Sequence, residues 1–83
     1  MAELTKYFNN EQIRRAKQMC EDAKGKRVTV RLDRSTTVTG IVDAAEPSYA
    51  GFTGRSVHCV FSVDLLCGAN QTRRNFKLRT LPR

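Results

Sequence analysis

At Gly25 the hydrophobic period of this 83-residue sequence changes from that of a helix to that of a strand. Before it, Ile13, Ala16, Met19, Cys20 and Ala23 recur at helical spacing and form one apolar stripe. After it, Arg27-Val28-Thr29-Val30-Arg31-Leu32 alternates residue by residue, with Val28, Val30 and Leu32 on one face. A chain with this single switch is confined to a helical lead-in followed by a β domain.

The helix has signals at both ends. Asn9 is a good N-cap, and Gln12 three residues later completes a capping box. Phe8 and Ile13 are spaced for a hydrophobic staple, and Gly25 is a C-terminal stop. Glu11 to Arg15 and Lys17 to Glu21 are favourable i,i+4 pairs. The pattern predicts a helix over 10–24 and strands over 27–32, 36–45, 57–66 and 72–81. Asp33-Arg34-Ser35 and the segment 67–71 read as turns. Gly40, inside a β-branched run, signals a bend or bulge. Residues 47–54, with Pro47, Gly51 and Gly54, read as a loop carrying Tyr49 and Phe52. The fold expected is mainly β with an N-terminal α-helix: a single domain, 1–83, forming a small, strongly bent antiparallel barrel of SH3-like type.

Such a chain buries only roughly 60–65% of its unfolded surface, so its core is thin. With 40% hydrophobic and 28% charged residues it is too apolar for a disordered chain. No uncharged stretch is long enough to span a membrane, and the first residues have no apolar signal-peptide core. The expectation is a cytoplasmic protein, neither a transmembrane chain nor a secreted precursor nor a multidomain enzyme. Cys20, Cys59 and Cys67 are odd in number and lack paired metal-ligand spacing, which points to free thiols, with no disulfide, metal or other cofactor.

Charge is distributed unevenly. The net charge is +7; residues 1–46 carry nine basic and seven acidic residues, whereas 47–83 carry six basic residues and one acid, Asp64. Ten of the fifteen basic residues are arginine, the side chain suited to bidentate phosphate contacts and to stacking on bases. Arg73, Arg74, Lys77 and Arg79 concentrate on the last strand, with Arg55 in the 47–57 region and Arg34 in the first turn. Tyr49 and Phe52 offer rings for stacking. Together these eight residues are the candidate nucleic-acid-binding set. Catalysis has little to draw on: there is one histidine and no nucleophile, metal or phosphate-loop motif. His58 and Cys59 are neighbours in a strand and point to opposite faces, so they cannot act as a pair.

Segment 28–42 resembles the first motif of the Sm-like family, roughly V-x-V-x-L-x-x-G-x-x-h-x-G-x-h with h apolar. Val28, Val30, Leu32, Val38, Gly40 and Val42 fall in register, and Ser35 stands in place of the turn glycine. Phe76-Lys77-Leu78-Arg79 is faintly similar to the second motif, and the leading helix matches the family layout. The resemblance implies an Sm-like barrel, a homo-oligomer such as a ring, and single-stranded RNA as partner. The Asp and Asn that frame the family's base pocket have no counterpart in Glu46-Pro47-Ser48-Tyr49-Ala50-Gly51, so it does not imply that pocket. The reading is a non-enzymatic, RNA-binding Sm-like protein. A protein–protein adaptor and a DNA-binding small barrel are the alternatives.

Overall fold

The computed structural model describes residues 2–82. The elements run α1 (Leu4–Tyr7), α2 (Asn10–Ala23), β1 (Arg27–Arg31), β2 (Thr37–Thr53), β3 (Ser56–Cys67) and β4 (Thr72–Leu78). The strands form one antiparallel meander in the order β1-β2-β3-β4. The sheet does not close into a barrel: β1 and β4 are its two edges. No helix among the described residues is long and apolar enough to cross a membrane.

The capping box starts α2 as its sequence requires. Asn9 accepts from the Gln12 amide at 2.8 Å, and the Gln12 side chain accepts from the Asn9 amide at 2.9 Å. Gly25, at φ +82°, ends the helix and passes the chain to the sheet by donating its amide to the Val42 carbonyl at 2.8 Å. The stripe of α2 packs through Ala16, Cys20 and Ala23 onto Val28, Val30, Val42, Phe61, Val63 and Leu65. Met19, expected in that stripe, is half exposed on its margin. Leu32, expected inward, is exposed because β1 has ended at Arg31.

The largest departure from expectation is the segment 47–54. Residues 47–53 are strand, not loop, and Gly54 belongs to the hairpin turn. β2 continues through Pro47 to Thr53, paired with β3, because register shifts between Val42 and Ala44 and between Pro47 and Tyr49 absorb one residue each. Pro47 is tolerated because β1 pairs no further along β2 than Ile41, leaving this half of β2 largely an edge. Gly54-Arg55 then closes the hairpin, with Gly54 at φ +60° in the first central position, as a type II′ turn demands. The opposite error occurs in β4: strand was expected to Leu81 but pairing stops at Leu78.

Helix α1, absent from the sequence reading, secures the long hairpin. The Ala50 amide donates to the Ala2 carbonyl at 2.9 Å, and the Tyr7 ring stands edge-on to Phe52 at 5.0 Å. In the β1–β2 turn Ser35 is held by Asp33. The Asp33 carboxylate accepts from the amides of Ser35 and Thr36, both at 2.9 Å, and no residue of this turn needs a positive φ.

Candidate nucleic-acid interface

Strand alternation separates the basic residues that the sequence presents as one cluster. On β4, Arg73, Asn75 and Lys77 pair across from Leu66, Asp64 and Ser62, on the face away from α2. Arg74 and Phe76 lie on the other face, across from Leu65 and Val63, and the Arg74 guanidinium sits 5.3 Å from the Phe76 ring centre. Arg79 lies beyond the strand. Arg55 is at the hairpin tip and Arg34 in the β1–β2 turn, where its carbonyl accepts from Arg31 at 3.2 Å. The candidate set is therefore not one surface. Tyr49 and Phe52 are also parted: Tyr49 pairs with Val60 on the outer face and Phe52 with Val57 on the inner one, so they cannot stack on the same ligand side by side. The ring that does join Phe52 is Tyr7, which sequence reasoning missed because nothing local ties residue 7 to residue 52.

The outer face has its own order. Register places Arg27, Ile41, Leu66 and Arg73 in a single row across all four strands. Ile41 and Leu66 form an apolar floor between two guanidinium-bearing positions. A groove of about 480 Å³ lies on this floor, bounded by Arg27, Thr39 and the β3–β4 turn through Gly68, Ala69 and Gln71. Beside the row, the Thr29 and Thr39 hydroxyls hydrogen-bond at 2.9 Å. The Ser62 hydroxyl accepts from Lys77 and from Asn75, each at 2.9 Å, and Asn75 also donates to Asp64 at 2.7 Å. Arg73 forms an ion pair with Asp43 and lies 4.0 Å from Asp64. Arg27, Ile41, Leu66 and Asn75 were not singled out from sequence. The odd-numbered alternation of Arg73, Asn75 and Lys77 could have found Asn75, but the other three need the register.

His58 lies on the face opposite the Cys20 and Cys59 thiols, which share the inner cluster. His58 pairs with Gly51 on the outer face, and its Nδ1 is buried without a partner; Cys59 pairs with Ala50 on the inner face. Burial, with the neighbouring Cys59 and Glu46 adding to it, pushes the Cys20 thiol up to about 11, and burial also raises Cys59. Both are poor nucleophiles at neutral pH. No family model, curated protein or solved structure matches this chain.

Proposed function

We propose that this chain is a non-catalytic, Sm-like nucleic-acid-binding module that holds single-stranded RNA on the open outer face of its sheet. The observation that carries the reading is the Arg27–Ile41–Leu66–Arg73 row. Three inter-strand steps separate its ends, roughly 14 Å. An unstacked base can lie on the aliphatic floor while the flanking guanidiniums engage the backbone on either side. The shallow face favours single strands, since a duplex is read by an element inserted into its groove. The protruding hairpin is a poor candidate for that insertion, because between Glu46 and Val60 its only charged residues are Glu46 and Arg55. The open β4 edge supports self-association as the second half of the proposal.

Fluorescence anisotropy with a labelled single-stranded RNA of about ten nucleotides tests the reading. Affinity is expected to fall with salt, and Arg27→Ala is expected to weaken binding and to reduce the salt slope by about one. Duplex DNA is expected to bind more weakly. Binding that ignores both salt and Arg27→Ala overturns this placement. Light scattering coupled to size exclusion tests the assembly: a monomer at all concentrations removes the ring and leaves the RNA face to stand alone.

A further inference from the structure

The free edge of β1 carries a fixed pattern of outward backbone groups. In an antiparallel ladder the paired residues alternate with residues whose backbone groups point away. Leu32 donates to Thr36 at 2.9 Å and Val42 donates to Lys26 at 3.0 Å, which places Lys26, Val28, Val30 and Leu32 among the residues bonded to β2. The amides and carbonyls of Arg27, Thr29 and Arg31 therefore face the free edge. Their side chains are exposed, while Val28 and Val30 are buried between them.

This edge opens into a cleft. The chain leaving β4 comes round to lie opposite β1, and a cavity of about 200 Å³ separates Thr29 and Arg31 from Leu78, Arg79 and Pro82. It is followed by one of about 360 Å³ along Arg27, Lys26, Met19 and Leu81, where Asp22 is the one acid against two basic residues. Among the described residues, none from 79 to 82 forms a backbone hydrogen bond with β1. Two features oppose such pairing: Arg79 would meet the like charge of Arg31, and Pro82 has no amide to donate.

We propose that the β1 edge binds an extended peptide of alternating acidic and apolar residues, which adds to the sheet as an antiparallel strand. The edge offers amide donors and carbonyl acceptors in equal number, and a peptide backbone answers both, whereas a nucleic-acid backbone supplies chiefly acceptors. A residue across from Arg27 would gain from a carboxylate, as would one across from Arg31, whose guanidinium donates to the Asp33 and Arg34 carbonyls through Nε and Nη2 and keeps its charge, and Arg79 on the opposite wall of the cleft adds charge of the same sign. The intervening residues turn towards Leu78, Leu81 and Met19. The pattern required is an acid, an apolar residue, a small polar residue across from Thr29, an apolar residue and an acid.

The test uses fluorescein-labelled Glu-Val-Thr-Val-Glu and the full chain. The peptide is expected to bind in preference to Lys-Val-Thr-Val-Lys. N-methylation of its central threonine, whose amide faces β1, is expected to weaken binding about tenfold, whereas N-methylation of either valine changes little. Arg27→Glu/Arg31→Glu, both at exposed positions, is expected to reverse the preference towards the lysine peptide. Thr29→Pro removes an outward amide without breaking the ladder to β2 and is expected to abolish binding with an unchanged circular dichroism spectrum. Should that variant unfold, the N-methylated peptides still decide. Equal binding of the threonine- and valine-methylated peptides means a polyanion held by charge alone and overturns the proposal, as does no binding at all. A dimer of the unliganded chain that is lost on Thr29→Pro assigns the edge to a second copy and overturns it too.

Discussion

The inner face of the sheet presents Val28, Val30, Val42, Val63 and Leu65 to α2; the outer face, one residue over on each strand, presents Arg27, Thr29, Thr39, Asp64, Arg73 and Lys77. The same strands and pleat serve both, but different forces organise them. The inner face is held by removal of apolar surface from water, which needs no particular partner for each side chain. Around these residues the outer face stays in water, although Val60 further along β3 is buried, and cross-strand hydrogen bonds and ion pairs there are individually worth a few tenths of a kcal/mol to about 1 kcal/mol. One face carries the stability, and the recognition proposed above falls on the other.

That division implies a steep gradient of mutational effect. Leu65 is fully buried, and Leu65→Ala is expected to cost about 3 kcal/mol in urea unfolding. For a thin core this is a large share of the total. A cost below about 1 kcal/mol would mean that the inner face does not hold the domain together.

The buried thiol gives the same face a pH signature. The folded pKa of Cys20, about 11, lies above its unfolded value, so the neutral thiol is the form the fold accepts. Its contribution is complete below the ordinary thiol pKa and is lost as pH rises through the interval up to about 11, because the unfolded chain ionises first. The loss amounts to about 2 kcal/mol by the top of that range, and Cys59 adds in the same direction. Urea midpoints at neutral and alkaline pH measure it, and Cys20→Ala is expected to flatten the alkaline decline even though it lowers stability at pH 7.

Gly40 sits where β3 leaves no room for a side chain on β2. A Cβ there would stand 2.7 Å from the Leu66 carbonyl oxygen and 3.0 Å from the Cys67 sulfur. The first of these is backbone, so relief requires moving β3. Gly40→Ala is expected to lower stability by about 1–2 kcal/mol despite the helpful loss of glycine entropy. Thermal unfolding unchanged or improved would show that the β2–β3 approach is looser than this.

The two faces also differ in how far they can be read from sequence. The inner face is a local pattern: alternation alone assigns Val28, Val30, Phe61 and Val63, and helical spacing assigns Ala16, Cys20 and Ala23. It fails at Leu32, past the end of β1, at Val57, near the hairpin tip, and at Met19, on the margin of the helical stripe. The outer row is a property of register. Arg27, Ile41, Leu66 and Arg73 meet only because three turns and the two register shifts in β2 set the pairing, and no short window of sequence contains them together. The adjacency of Arg73 and Arg74 was misleading for the same reason, since neighbours on a strand serve opposite faces. Residues 47–54 were misread because proline and glycine signal a loop locally, whereas two bulges and a tight turn accommodate them in a hairpin.

The smallest expected change in stability sharpens the comparison most. Asp43 neutralises Arg73 at one end of the outer row while itself projecting from the bulge in β2. Both side chains are partly solvated, so removing the pair is expected to alter stability by less than about 1 kcal/mol. For a ligand that is an anion the sign reverses. Asp43→Asn frees the Arg73 guanidinium and removes a repelling carboxylate, so it is expected to tighten single-stranded RNA binding by about two- to fivefold and to steepen its salt dependence. Asp64 remains within reach of Arg73 at 4.0 Å and limits the gain. A substitution that leaves unfolding untouched and strengthens RNA binding would separate the functions of the two faces directly. Weakened binding would instead mean that the Asp43–Arg73 pair positions Arg73 for its ligand, and that the row works as a fixed frame.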